Sequence, residues 1–135
     1  MSNYPMELQS LFCAIALGLV QLLLATMASV GGRGMPWGTG PRDEGWPPLK
    51  NKYAARLERA YKNFVETFPF FAAAVLLAHA LDKSTHNSVL GAQIYLWARV
   101  AYVPAYVIAI PLLRTLIWTA SIVGIVMVLS AVWPG

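Results

Sequence analysis

A long stretch near the start of the chain, residues 8–30, contains no charged side chain in 23 positions. A helix rises about 1.5 Å per residue, so this stretch is long enough to cross a hydrocarbon core of roughly 30 Å. A second charge-free stretch covers residues 115–135. Because lipid offers the backbone no hydrogen-bond partners, both stretches predict membrane-spanning helices.

The composition excludes the usual soluble classes. The chain is 58% hydrophobic and only 12% charged, whereas soluble domains are about a quarter charged. A soluble fold of 135 residues would leave too much apolar surface in water. Disordered chains are rich in charge, and the single Cys13 rules out a disulfide scaffold. The length predicts one membrane domain over residues 1–135.

Two further segments predict helices although each carries polar residues. They cover residues 54–81 and 88–109, and a fourth helix follows at 112–133. The sequence therefore predicts an all-α membrane protein, a bundle of four transmembrane helices. The connection at residues 31–53 is rich in glycine and proline, which predicts an irregular loop.

The basic residues gather on one side of the predicted membrane. Those on or beside the long loop are Arg33, Arg42, Lys50, Lys52, Arg56, Arg59 and Lys62. Arg114 falls at the same face, and the opposite face offers only Lys83. The positive-inside rule then predicts a cytoplasmic loop and outer termini for a multi-pass protein. The net charge of +4 is an orientation signal, and nothing suggests a nucleic-acid partner.

Two helices carry polar stripes where apolar residues are expected. Arg59, Asn63 and Glu66 share one face of the second helix, and the third helix presents Tyr95, Arg99, Tyr102 and Tyr106. At about 100° per residue, each set falls within roughly 60°. A charge inside a membrane helix costs at least a few kcal/mol and needs a partner.

The stripes have two interpretations. In the structural one, Glu66 pairs with Arg59 or Arg99 and the tyrosines join the helices. In the functional one, the arginines hold carboxylates, Glu66 takes an ammonium group, and the amide and hydroxyls complete a cytoplasmic ligand site. That donor set suits a zwitterionic, peptide-like ligand with surplus negative charge. Two histidines and one cysteine are too few for a dedicated metal site.

The stripe residues also form two recognisable motifs. The string from Glu58 to Pro69 reads Glu-Arg-x-x-x-Asn-x-x-Glu followed by an aromatic residue and proline. It resembles the signature of the membrane-associated proteins in eicosanoid and glutathione metabolism, the MAPEG family. The string Ala98-Arg99-x-x-Tyr102-x-x-x-Tyr106 resembles that family's second motif. The loop string from Gly40 to Glu44 resembles the family's bacterial branch.

The resemblance implies a homotrimer with glutathione, as co-substrate, bound between subunits at the cytoplasmic side. Carried over onto this chain, the glutathione-binding residues are Arg59, Asn63, Glu66, Arg99, Tyr102 and Tyr106. Arg114 is the candidate for stabilising the glutathione thiolate, with Arg99 as the alternative. Several family enzymes have tyrosine where this chain has Thr67, so one ligand contact is expected to be absent or replaced.

The function expected from the resemblance is that of a glutathione transferase or peroxidase acting on lipophilic electrophiles or hydroperoxides. Its partners would be glutathione, a lipophilic substrate and membrane lipid, in a bacterial inner membrane. The alternative is a non-catalytic scaffold of the same fold that binds a partner. A four-helix drug exporter ranks third, because residues 8–30 hold no carboxylate to couple protons.

Overall fold

The computed structural model describes residues 4–134, and every regular element within them is a helix. The elements are α1 (Met6–Arg33), α2 (Met35–Thr39), α3 (Lys52–Ala80), α4 (His86–Ile108) and α5 (Pro111–Ser130). The short α2 lies inside the predicted irregular loop. Its Pro36 stands in the first turn, where a missing N–H costs the helix nothing.

Three of these helices are long and apolar enough to cross a membrane, namely α1, α3 and the Leu112–Ser130 part of α5. Their large apolar side chains face outward, as Leu23 and Phe70 do with 63% and 68% of their surface exposed. Hydrocarbon, unlike water, solvates such side chains, so this pattern is typical of an integral membrane protein. The helix α4 is not among the three, and a fourth span stays a prediction.

The helices pack around a small apolar core. The helix α1 contacts α3 and α4, α3 also contacts α5, and α4 packs most extensively against α5. At the centre the rings of Phe71 and Tyr95 stack with centroids 4.0 Å apart, beside Leu11, Val75 and Val128. Many other buried positions are alanine, which lets helix backbones approach closely.

The helices α4 and α5 approach each other closely at a pair of glycines. A Cβ added to Gly124 would lie 2.6 Å from the carbonyl oxygen of Gly91 and 2.8 Å from the backbone nitrogen of Tyr95. A Cβ added to Gly91 would lie 2.6 Å from the carbonyl oxygen of Gly124. Backbone atoms cannot move aside as a flexible side chain can, so only glycine fits at these two positions.

Side chains cap the first turns of α3 and α4. Asn51 accepts hydrogen bonds from the first turn of α3, and Thr85 forms a capping box with Ser88 at the start of α4. Ser84 and Ser88 donate to the Glu7 carboxylate at 2.6 and 2.8 Å. The beginnings of α1 and α4 are thereby joined at the face opposite the long loop.

We expect Gly124→Ala to lower the thermal unfolding midpoint of the detergent-solubilised protein by several degrees. Overpacking a close contact costs about 1–3 kcal/mol, and here the new methyl group meets backbone on α4. The matched control is Gly31→Ala in α1, because a Cβ there meets nothing within 4 Å. Equal midpoints for the two variants would contradict the assigned α4–α5 contact.

Candidate functional site

A polar cleft opens at the loop-side end of the bundle, between α3, α4 and α5. Its volume is about 420 Å³. The side chains that line it are Arg59, Lys62, Asn63, Glu66, Tyr102, Tyr106, Arg114, Thr115 and Trp118. Of the seven predicted site residues, the structure brings together all except Arg99.

The helix α3 supplies the first wall of this cleft. Arg59, Asn63 and Glu66 lie on one face as their spacing predicts. Lys62 lies on the same face, because it is three residues after Arg59 and four before Glu66. Arg59 donates from its Nε to the hydroxyl of Tyr106 at 3.0 Å. Arg56, one turn earlier, donates to the carbonyl oxygen of Val107 at 2.9 Å. These bonds hold the end of α4 against the beginning of α3.

Tyr106 lies between two arginines from different helices. The Arg114 guanidinium carbon is 4.7 Å from the centroid of the Tyr106 ring, and the Arg59 guanidinium carbon is 5.8 Å from it. Ala109 ends α4 in the left-handed conformation, with φ of 65°, and α5 begins two residues later. This tight connection returns the chain so that Arg114, in the first turn of α5, faces the last turn of α4.

The electrostatics of the cleft favour an anion. Three cations line it, Arg59, Lys62 and Arg114, against the single carboxylate of Glu66. The positive end of the α5 dipole points toward the same region and adds to their field. Within residues 4–134 no carboxylate lies within ion-pair distance of these cations, so their charge is available to a ligand.

Arg99 lies deeper than the cleft. Only 1% of its surface is exposed, and its guanidinium carbon is 4.2 Å from the Tyr102 ring centroid and 5.8 Å from that of Phe64. Its side-chain nitrogens make no hydrogen bond to the described residues. Arg99 is therefore not among the side chains that line the cleft, and its role in binding glutathione stays a prediction.

Tyr95 and Thr67 belong to the core. Their hydroxyl oxygens are 2.9 Å apart, and both side chains are buried. Thr67 is not among the side chains that line the cleft. The α4 stripe thus divides into a cleft half with Tyr102 and Tyr106 and a core half with Tyr95 and Arg99.

The ion pair that the structural interpretation of the stripes predicts, between Glu66 and Arg59 or Arg99, is not observed. Within the described residues the one ion pair joins Arg33 to Glu58, at 2.7 Å, and Glu66 pairs with neither Arg59 nor Arg99. The hydroxyl of Tyr106 does join α3 to α4, but through Arg59. The cleft residues are therefore arranged around open space, and the bond from Arg59 to Tyr106 joins α3 to α4.

Sequence reasoning missed the partner of Arg33. Glu58, the first residue of the α3 motif, accepts from both terminal nitrogens of Arg33, at 2.7 and 3.1 Å. The Arg33 guanidinium carbon also lies 5.0 and 5.2 Å from the ring centroids of Trp37 and Trp46. The two residues are 25 positions apart, so no local periodicity points to this pair.

Lys62, Thr115 and Trp118 were also absent from the predicted site. Lys62 completes the helical spacing of Arg59, Asn63 and Glu66, and Trp118 follows Arg114 by one turn. The same periodicity that identified the stripes could have found both. Among the described residues, no group of three or more histidine, cysteine and acidic side chains is placed to hold a metal ion.

The fold and cleft define a helical integral membrane protein with a cationic polar site at one end of its bundle. A family model for the MAPEG family matches residues 10–133. The chain belongs to the MAPEG family, and this membership supports a membrane protein related to glutathione transferases and peroxidases. Searches of curated proteins and of solved structures gave no match.

We expect Glu58→Gln to loosen the loop between α1 and α3, because it removes the charge that Arg33 holds. Hydrogen bonds to charged groups contribute about 1.5–3 kcal/mol, which corresponds to roughly a tenfold or larger rise in transient opening. Limited trypsin digestion in detergent measures this as faster cleavage at Lys50. Glu44→Gln, which removes the same charge from the exposed loop, should digest at the original rate. Identical cleavage rates for both variants would contradict a role of the Arg33–Glu58 ion pair in holding the loop.

Proposed function

We propose that this protein binds glutathione in the polar cleft and activates its thiol for reaction with lipophilic compounds. The observation that carries the proposal is the convergence of six predicted site residues from three helices on one cleft. Family membership supports the same ligand. Glutathione enters the reaction as a co-substrate.

The charges of the cleft complement those of glutathione. The tripeptide carries two carboxylates and one ammonium group at neutral pH. Arg59 and Lys62 suit the carboxylates, and Glu66 suits the ammonium group. Asn63 can both donate and accept, which suits a peptide bond. The buried Oδ1 of Asn63 makes no hydrogen bond within the described residues, so it has an acceptor to offer.

Arg114 is assigned to the thiolate. A free thiol ionises near pH 8.5, so about a few per cent is thiolate at neutral pH. A guanidinium within hydrogen-bonding reach favours the anion and lowers the thiol pKa. Arg114 lies half-buried at the cleft wall beside Tyr106. The Tyr106 hydroxyl offers a second donor to the sulfur, and Arg59 orients it.

The thiolate then attacks an electrophile that reaches the cleft from the bilayer. In a transferase reaction, a carbon–sulfur bond forms while a leaving group departs with its electron pair or an epoxide opens. In a peroxidase reaction, sulfur attacks a hydroperoxide oxygen and the O–O bond breaks, releasing an alcohol. A second glutathione then converts the sulfenic acid to glutathione disulfide and water.

The finer architecture belongs to the same proposal. We infer that α4 crosses the membrane as a fourth span, because α3 and α5 shield the polar face that carries Arg99. We further propose a homotrimer in a bacterial inner membrane, with the loop between α1 and α3 in the cytoplasm. Family membership and the clustering of basic residues at the loop face support this arrangement.

A difference-absorbance titration of the solubilised protein with glutathione tests the thiolate directly. We expect a thiolate band near neutral pH in the wild type. Arg114→Ala should keep glutathione binding and lose the band, whereas Arg59→Ala should weaken binding by about tenfold or more, since it removes a charge-assisted hydrogen bond. Lys50→Ala removes a cation from the same face outside the cleft and should change neither.

Each other result has a defined meaning. An unchanged band in Arg114→Ala would remove Arg114 from the thiolate role. Binding without any band would leave a glutathione site that lacks activation. No binding at saturating glutathione would overturn the proposal in favour of the non-catalytic scaffold.

Single-cysteine labelling tests the orientation. In a Cys13→Ser background, Lys83→Cys should react with a membrane-impermeant maleimide added to intact spheroplasts. Lys50→Cys should react only after permeabilisation, because the basic loop is held in the cytoplasm. The reverse pattern would contradict the proposed topology.

A further inference from the structure

Trp118 lines the polar cleft, and the proposed glutathione chemistry gives it no role. Its indole is a large apolar ring with a single N–H donor. The other side chains that line the cleft are charged, carry a hydroxyl group or, at Asn63, an amide. Trp118 therefore gives an otherwise polar cleft one wall that suits an apolar group.

Trp118 lies one turn beyond Arg114 on α5. Residues four apart share a face of a helix, and both side chains line the cleft. The helix rises about 6 Å over four residues. Because α5 begins with Pro111 at the loop-side end, Trp118 lies farther than Arg114 from the loop. A molecule that rests on the Trp118 ring is therefore within reach of a sulfur held at Arg114.

The cleft ends on α5 with Trp118. The next residues on the same face of the helix, Ser121 and Ile125, are buried in the bundle, whereas Trp118 exposes 39% of its surface. On the outer face of α5, Leu112 and Leu116 are exposed, and in a membrane such side chains contact hydrocarbon. Trp118 thus lies where the polar cleft meets the apolar part of the span.

An indole ring at this border favours one kind of lipophilic partner. Offset stacking of two aromatic rings strengthens binding by about two- to tenfold beyond the burial of their area. The indole face is rich in electrons, so it attracts a ring that is poor in them. Electron-poor aromatic carbons are also the ones that a thiolate attacks. An aliphatic chain gains from burial alone, which a leucine side chain supplies equally well.

We propose that Trp118 makes the cleft selective for planar aromatic electrophiles, which stack on its indole while the thiolate at Arg114 attacks them. This inference rests on the proposed glutathione function and names the class of its second substrate. A carbon–sulfur bond forms at the ring carbon that carries a halogen, and the halide leaves with the electron pair of the carbon–halogen bond. Trp118 binds the ring, and the ionisation of the thiol is left to Arg114.

Steady-state kinetics of the detergent-solubilised full chain at saturating glutathione test this with two electrophiles. Chlorodinitrobenzene is planar and aromatic, whereas nonenal is aliphatic and takes the thiolate at its β carbon and a solvent proton at its α carbon. Trp118→Leu should raise the KM for chlorodinitrobenzene about two- to tenfold and leave the KM for nonenal unchanged. Trp118→Phe keeps an aromatic face and should restore most of the difference.

Trp97→Leu is the matched control. Trp97 lies on α4, exposes 66% of its surface and is not among the residues that line the cleft. This variant should leave the KM for both electrophiles unchanged. Equal increases in the two KM values in Trp118→Leu would overturn the proposal, and so would the same aromatic-specific loss in Trp97→Leu.

Two readouts separate this inference from the glutathione proposal. The thiolate band of Trp118→Leu should match that of the wild type, and its loss would overturn the assignment by placing Trp118 in thiol activation. If the wild type forms no thiolate, the glutathione proposal fails, and equilibrium dialysis with dinitrobenzene, which has no leaving group, still measures the stacking. Trp118→Leu should bind dinitrobenzene about two- to tenfold more weakly than Trp97→Leu does. Equal binding by these two variants would overturn the inference.

Discussion

The backbone contact between α4 and α5 is the interaction on which the geometry of the cleft depends. Gly91 and Gly124 bring the two helices together near one end, and the connection at Ala109 joins them at the other. The helix between Gly91 and Tyr106 is about 22 Å long, so both ends of the pair are fixed. Tyr106 and Arg114 consequently face each other without a direct hydrogen bond having to hold them.

Much of this fold follows from where charge is absent from the sequence. The charge-free stretches predicted α1 and α5, and the all-helical architecture and the family assignment are confirmed. The α3 stripe was also predictable, because a helix brings Arg59, Asn63 and Glu66 to one face whatever it packs against. Helical periodicity predicts which side chains share a face, and in the structure these three side chains do share one face of α3.

Helical periodicity does not predict how deeply each side chain is buried or which helix packs against it. Tyr95, Arg99, Tyr102 and Tyr106 share one face of α4, but only Tyr102 and Tyr106 reach the cleft. The packing of α3 against α4 puts Phe71 on Tyr95 and Phe64 near Arg99. These are long-range contacts, and one sequence contains no local signal for them.

The same limit applies to the ion pair of Arg33 and Glu58. The motif that begins at Glu58 supplied three predicted ligand residues, and its first residue pairs with Arg33 at the end of α1. The helix α3, which carries Glu58, separates the polar cleft from a second opening toward α1. Arg59 and Lys62 stand on the wall between them and border both, so a charge bound on one side of α3 changes the field on the other. The electrostatics of the polar cleft therefore depend on two side chains that also face the space between α1 and α3.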